Sequence, residues 1–168
     1  MHRPTCINNG NSTRIAYIDF AKAFDTMCHS KLLYKLSNLG IREPLFDIIV
    51  SFLSNRSQQV VIDNCLSNSS FVRSGVAQGS VLGPLLFVIY INDLAECIPT
   101  GNNIRLFADD VKLYSEIKCE LDIANFQDSI DTLTEWTKSW QLNISIKNVS
   151  LWTFHQNGAL LFTTIIVR

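Results

Sequence analysis

Charge is scarce in this sequence. Only 17% of its 168 residues are Asp, Glu, Lys or Arg, and 14 basic side chains face 15 acidic ones for a formal net charge of -1. That balance gives no support to an autonomous binder of phosphate backbones, which is typically basic. A cysteine pattern suited to zinc or to a bridged scaffold is also missing. Cys6, Cys28, Cys65, Cys97 and Cys119 are odd in number, widely spaced and without a Cys-x-x-Cys pair, so reduced, intracellular thiols are expected. No apolar run is long enough to cross a bilayer, since the longest, residues 81–91, is interrupted by Gly83 and Pro84. The polar first thirteen residues lack the basic, apolar, small-residue order of a secretory signal. Without that signal, the Asn-x-Ser/Thr triplets at Asn11, Asn55, Asn68, Asn143 and Asn148 reflect a chain rich in Asn and Ser. There is no internal repeat or low-complexity tract, and turn formers concentrate in residues 1–13, 64–70 and 99–103. The expectation is an intracellular protein, cytoplasmic or nuclear, with no membrane partner.

What is present is enough apolar material, 47% of residues, for one domain with a real core. Residues 14–20 read as a mostly apolar strand with Asp19 near its end. Ser30 is placed to cap a helix over 31–39, where Leu32, Leu36 and Leu39 keep helical spacing and Gly40 stops it. Pro44 opens a second helix over 45–53, with Ile48, Ile49 and Phe52 as its apolar stripe. Residues 58–63 and 70–74 form a small hairpin joined by a polar loop, and Pro84 starts a buried helix to about Ala95. A long amphipathic helix spans 121–140 through Phe126, Ile130, Leu133, Trp136 and Trp140, and a last strand covers roughly 149–154.

Between the buried and the amphipathic helix lies Leu-Phe-Ala-Asp-Asp-Val-Lys-Leu-Tyr, residues 106–114, within a hairpin predicted over 104–115. Strands tend to exclude Asp, so Asp109 and Asp110 are expected at the tip. The pair offers no glycine and sets two like charges side by side, a cost that a divalent cation would offset. A solvated acidic turn is the plain alternative. Leaving out the accessory hairpin, the order strand, helices, strand, strand, helix, strand is that of a ferredoxin-like, split β-α-β fold of the α+β class, an antiparallel sheet with helices packed on one face. That topology brings Asp19 toward Asp109 and Asp110. Three carboxylates at one sheet end suit Mg²⁺, with Mn²⁺ also possible, and a two-metal phosphoryl transfer.

Four segments in order carry a family likeness: YIDFAKAFDTMCH at 17–29, SGVAQGSVLGPLLFVIYINDL at 74–94, LFADDVKLY at 106–114 and WTKSWQLNISI at 136–146. The chain resembles the catalytic palm of reverse transcriptases, RNA-directed DNA polymerases, most closely those of non-LTR retrotransposons. The resemblance implies that Asp19 and Asp109 are the principal metal ligands, with Asp110 a second carboxylate and the Phe20 carbonyl an added ligand. It implies that Phe24 packs under the incoming sugar and rejects a 2′-hydroxyl, that the amides of Ala23 and Phe24 face the triphosphate, and that Gln78 and Gly79 contact nucleotide and template. Taken alone, Phe24 reads equally as a core residue, Gln78 as a loop amide, and Ser80 or Pro84 as the start of the following helix.

Departures from the family pattern are few within the motifs. Ala77 stands where the family most often has Pro, and the family's triphosphate lysine falls on either Lys147 or Asn148. The likeness divides the chain into a polar remnant at 1–13, a palm at 14–154 and a divergent tail at 155–168. Fingers, thumb and a possible endonuclease domain are expected elsewhere in a longer protein. The implied partners are an RNA template, a DNA primer and a deoxynucleoside triphosphate, and the 168 residues alone are expected to be inactive. The alternatives are an inactive relic of a mobile element and a metal-dependent nuclease.

Overall fold

The computed structural model describes residues 12–155 and 160–163. In chain order its elements are β1 (Ser12–Asp19), α1 (Ala23–Thr26), α2 (His29–Asn38), α3 (Leu45–Leu53), β2 (Ser57–Gln58), β3 (Val61–Ile62), β4 (Cys65–Leu66), β5 (Ser70–Phe71), α4 (Leu82–Ile91), α5 (Leu94–Cys97), β6 (Asn103–Phe107), β7 (Asp110–Ile117), α6 (Glu120–Trp140), a 3₁₀ turn (Ile146–Asn148), β8 (Ser150–Phe154) and β9 (Leu160–Thr163). Backbone contacts divide the chain into two compact units. One holds the residues up to Ala21 and those from Asn92 onward; the other is Lys22–Ile91.

The first unit is built on a five-stranded sheet, ordered β6-β7-β1-β8-β9, in which every pair is antiparallel. Period-2 alternation gives the sheet one apolar face. Ala16 and Ile18 of β1 lie opposite Leu113 and Val111 of β7, and all four are buried. α6 packs against β7 and buries Phe126, Ile130, Leu133 and Trp136 at helical spacing. Each such side chain removed from water contributes roughly 1.5–3 kcal/mol, so this layer dominates the unit's stability. The opposite face carries Tyr17, Arg105, Lys112 and Tyr114.

In the second unit α2 packs on α3 and on α4. Leu32, Leu36, Phe87 and Tyr90 are fully buried there, and Lys35, itself buried, donates its ammonium to the Tyr90 carbonyl. The α2 terminus follows from Gly40, whose φ of +83° suits glycine. The amides of Gly40 and Ile41 close onto the carbonyls of Ser37 and Leu36, satisfying the last turn.

Several expectations are corrected. α2 begins at His29, with Cys28 at its cap and no side-chain capping bond, so Ser30 lies inside the helix and its hydroxyl meets the Cys28 thiol instead. In α3 the buried positions are Ile49 and Leu53, whereas Ile48 is exposed. The buried helix starts at Leu82, two residues before Pro84, and breaks after Ile91, leaving α5 as a separate turn. The small hairpin is a nested pair of ladders, β2 with β5 and β3 with β4, closed by Asp63 and Asn64. Both turn residues have positive φ, a conformation that Asn and Asp tolerate better than other side chains. β1 begins at Ser12, within the stretch read as a polar remnant, whose residues 1–11 lie outside the described residues. The segment read as a divergent tail supplies the fifth strand, β9, while 156–159 and 164–168 also lie outside the described residues.

Candidate active site

Asp19 is the last residue of β1 and Asp110 the first of β7, and the two are direct cross-strand partners. Directly opposed residues of an antiparallel pair project from the same face, so two like charges meet at the sheet's end, an arrangement that is destabilising by itself. Asp109 sits beside them in the two-residue turn between Phe107 and Asp110. The tip of the hairpin is therefore Ala108 and Asp109, not the acidic pair. Ala108 takes a φ of +51°, a conformation L-residues seldom adopt outside glycine, Asn and Asp. Asp110 is exposed and Asp109 half-buried, and no hydrogen bond or ion pair engages either side chain among the described residues. Those residues also contain no group of three or more His, Cys, Asp or Glu side chains that could hold a metal ion. Asp19 with Asp110 is thus the carboxylate pair that the register brings together, with Asp109 adjacent in the turn.

A segment far along the chain fixes the end of β1. The Ser145 amide donates to the Asp19 carbonyl at 2.8 Å, the Ala21 amide donates to the Asn143 carbonyl at 2.7 Å, and Phe20 and Ile144 form an isolated antiparallel bridge. This bridge uses the groups flanking Phe20 and does not take up the Phe20 carbonyl. The 3₁₀ turn then brings the Asn148 amide group to Asp19, with Nδ2 donating to Oδ2 at 2.6 Å. Lys147 is exposed in the same turn. Between the two residues open to the family lysine's place, Asn148 is the one that touches Asp19.

Sequence reasoning missed the surroundings of this pair. Asp19, Asp110 and Asn148 line an open cleft of 320 Å³ together with Tyr17, Arg105 and Lys112. The Lys112 ammonium lies 5.5 Å from the Tyr17 ring centroid and 5.6 Å from that of Tyr114. The signal was present, because Lys112 and Tyr114 follow Asp110 at period 2 and so share its face.

In the second unit, the remaining candidates cluster around one glycine. The Phe24 ring is half-buried and stacks on Phe87 of α4, with centroids 4.6 Å apart. The Gly75 amide donates to the Met27 carbonyl and the Val76 amide to that of Phe24. A Cβ on Gly75 would lie 2.4 Å from the Phe24 carbonyl oxygen, so only glycine permits this approach. His29 Nε2 and Arg56 Nη2 each lie 2.7 Å from the Gly75 carbonyl oxygen. The Phe24 turn and the irregular segment leading to Gln78 are consequently locked together. Gln78 is exposed, and its side-chain amide donates to Asp25 Oδ1 at 3.3 Å. Gly79 has a φ of +80° with open space where a side chain would be, so its conformation, not its packing, calls for glycine. Ser80 and Pro84 both serve the start of α4. The Ser80 hydroxyl accepts from the Gly83 amide, and Pro84 falls in the first turn, where a missing N–H costs nothing.

The reverse transcriptase (RNA-dependent DNA polymerase) family matches residues 2–158. The RNA-directed DNA polymerase from mobile element jockey of Drosophila funebris is 33% identical over 145 residues, 82% of this chain and 16% of that protein. The probable RNA-directed DNA polymerase from transposon BS of Drosophila melanogaster is 33% identical over 136 residues, 77% and 15% of the two chains. The chain thus spans about a sixth of the length of these relatives. Among solved structures, apo telomerase from Candida tropicalis, truncated from its C-terminal domain, superposes with a TM-score of 0.65 over 90% of this chain and 36% of that one. Its 10% identity makes that a likeness of fold, consistent with a polymerase palm of helices and antiparallel sheet. The family match over residues 2–158 and the two mobile-element relatives place the chain in one family: it belongs to the reverse transcriptases, on their non-LTR retrotransposon branch.

Proposed function

We propose that this chain is the catalytic palm of an RNA-directed DNA polymerase that extends a DNA primer on an RNA template. The observation that carries the proposal is the pairing of Asp19 with Asp110 at the open end of the sheet, with Asp109 in the adjoining turn. In the reaction a primer 3′-oxygen attacks the α-phosphorus of a deoxynucleoside triphosphate. The new P–O bond replaces the one to the leaving pyrophosphate, and the hydroxyl proton passes to solvent water. The donor set fits a hard divalent cation, Mg²⁺ or Mn²⁺. It consists of carboxylate oxygens and a backbone carbonyl, and no cation pairs with the like charges at Asp19 and Asp110 among the described residues. When bound, a pair of such ions supplies charge neutralisation for the attacking and leaving oxygens.

Asp19 and Asp109 are the principal ligands, Asp110 the second carboxylate, and the Phe20 carbonyl an additional donor. Asn148 orients Asp19 through its 2.6 Å hydrogen bond, leaving the other carboxylate oxygen free. The Ala23 and Phe24 amides precede the first intrahelical bonds of α1, which run from Asp25 and Thr26 to the Lys22 carbonyl, and they face the triphosphate. Phe24, braced from one side by Phe87, presents its other side to the sugar and excludes a 2′-hydroxyl by shape. Gln78 and Gly79 contact nucleotide and template. The sheet order β6-β7-β1-β8 supports a ferredoxin-like, split β-α-β palm, extended by β9. We assign this palm to residues 14–154, with fingers, thumb and a possible endonuclease domain in the longer protein. Its substrates place the reaction inside the cell, in cytoplasm or nucleus.

The test is primer extension by the full-length protein carrying this chain, on an RNA template with deoxynucleotides, with and without Mg²⁺ or Mn²⁺. Metal-dependent extension is expected, and none from the 168 residues alone, because a primer oxygen held about 1 Å out of place already costs on the order of a hundredfold in rate. An inactive relic of a mobile element is the second reading. One observation favours it: the described residues contain no group of three metal-ligating side chains. Absence of extension by the full-length protein at any metal concentration would select it.

A further inference from the structure

Two stretches of the second unit, the turn carrying Phe24 and the segment leading to Gln78, meet along one seam of hydrogen bonds. The Ser74 hydroxyl donates to the Asp25 carbonyl, the Val76 amide to that of Phe24 and the Gly75 amide to that of Met27, each at 2.8 Å. The Gly75 carbonyl completes the seam by accepting twice. One donor is His29 Nε2, from the first turn of α2, and the other is Arg56 Nη2, from the segment between α3 and β2, both at 2.7 Å. A carbonyl oxygen can only accept, so the imidazole carries a hydrogen on Nε2. The guanidinium is held in turn by its Nε, which donates to the Leu53 carbonyl at 3.4 Å. Gly75 and Val76 are buried, whereas His29 and Arg56 are half-buried. Two side chains from 46 and 19 positions away thus converge on one oxygen of a buried residue. One donor satisfies a buried carbonyl, and the second fixes where it lies.

We propose that His29 and Arg56 are positioning residues that set sugar selectivity by fixing the Phe24 ring through the Gly75 carbonyl. Neither needs to touch the nucleotide. The Phe24 carbonyl is bonded to the amide of Val76, which shares its peptide group with the Gly75 carbonyl, so a shift of that peptide is passed to the residue carrying the ring. The seam has no slack, because a Cβ on Gly75 would lie 2.4 Å from the Phe24 carbonyl oxygen. Phe87 supports the ring by stacking, which tolerates sliding, whereas directional hydrogen bonds fix the backbone beneath it. Exclusion by shape is sensitive to small displacements, since a radial gap of about 0.5–1 Å already forfeits much of a contact. The role of Arg56 is geometric. A lysine would keep the charge but could not reproduce the fork that reaches the Gly75 and Leu53 carbonyls together. The assignment rests on the polymerase reading and adds to it two residues outside the set that meets metal, nucleotide or template.

The experiment compares ribo- and deoxynucleotide incorporation by the full-length protein and its His29→Phe, His29→Gln, Arg56→Met and Arg56→Lys variants, with amide hydrogen exchange of the 168-residue chain in parallel. His29→Phe keeps a ring and loses the donor. It should raise ribonucleotide relative to deoxynucleotide incorporation about fivefold, in KM rather than kcat. His29→Gln retains a side-chain N–H donor and should restore the wild-type ratio. Arg56→Met and Arg56→Lys should each raise the ratio about fivefold, because charge does not replace the fork. Added to Phe24→Ala, none of these changes should raise the ratio further, since residues acting through one ring are not additive. Exchange of the Gly75 and Val76 amides should quicken about tenfold in His29→Phe and Arg56→Lys. A wild-type ratio in His29→Phe and Arg56→Met, a wild-type ratio in Arg56→Lys, effects that multiply with Phe24→Ala, or unaltered amide exchange would each overturn the proposal. The first three presuppose extension and leave the polymerase reading standing. No extension by the wild-type protein would remove that reading and the sugar-selecting role with it, while exchange would still report whether the two donors hold the seam.

Discussion

Within the first unit, two acidic sites a dozen residues apart are treated oppositely by the fold. At the start of α6, Asp122 Oδ2 accepts from the backbone amides of Lys118 and Cys119 at 2.8 and 3.0 Å, and from the Cys119 thiol at 3.5 Å. Those amide bonds hold its carboxyl below the usual carboxylate range, although burial opposes them. At the other site, Asp110 faces Asp19 across the sheet and Asp109 closes a turn whose neighbour Ala108 is strained. The chain gives neither Asp109 nor Asp110 a local donor among the described residues. A carboxylate whose acceptors are filled by its own backbone is structural. One kept in a costly setting without such donors is available to a ligand.

The sharpest way to break that contrast is to neutralise one carboxylate of each kind and read activity and stability separately. Asp109→Asn in the full-length protein should cut primer extension at least about a hundredfold, since metal-held charge is worth several kcal/mol in the transition state. Its thermal midpoint should hold or rise, because a like charge is removed from beside Asp19 and Asp110. Extension at the wild-type rate with unchanged metal dependence would sink the assignment.

Phe24 extends the comparison to the second unit, as a residue satisfied on one side only. Its ring rests on Phe87 at 4.6 Å while the residue stays half-buried. Phe24→Ala should therefore do two things. It should cost about 2 kcal/mol in urea unfolding, below the range for a fully buried ring, and raise ribonucleotide relative to deoxynucleotide incorporation about tenfold. A stability loss with an unchanged incorporation ratio would make Phe24 a packing residue only.

Legibility followed the range of the forces involved. α6, α3 and the end of α2 were readable because periodicity, a proline and a glycine act within a few residues. The acidic hairpin was readable as an anomaly, but its register was not. Local propensity puts both aspartates in the turn, whereas pairing with β1 draws Asp110 into the strand opposite Asp19. Asn148 was undecided against Lys147 because its contact with Asp19 spans 129 positions and depends on a 3₁₀ turn of weak sequence signature. β9 was missed because its neighbours diverge from the family pattern, and pairing with β8 is what makes it a strand. The seam at Gly75 was hidden for a related reason. His29 and Arg56 reach its carbonyl from 46 and 19 positions away, and no local pattern joins them.

The smallest expected effect completes the pair of acidic sites. Asp122→Asn removes a charge that receives two backbone amides at the first turn of α6, where the helix dipole also favours an anion. A folded-state pKa held below its unfolded value, about 3.9, means that the charge stabilises the fold above that value. The contribution is then lost as pH falls through the lowered folded value. Asp122 is only half-buried at the surface, so solvent screens its charge and the effect should be slight. In urea unfolding at pH 7 the variant's midpoint should lie below that of the wild type, and the gap should narrow as pH falls below the unfolded value and the native carboxylate protonates. Primer extension by the full-length variant at pH 7 should be unchanged, in contrast to Asp109→Asn. A gap that does not narrow as pH falls would show that Asp122 acts through shape and not charge. A loss of extension like that of Asp109→Asn would erase the distinction between the two acidic sites.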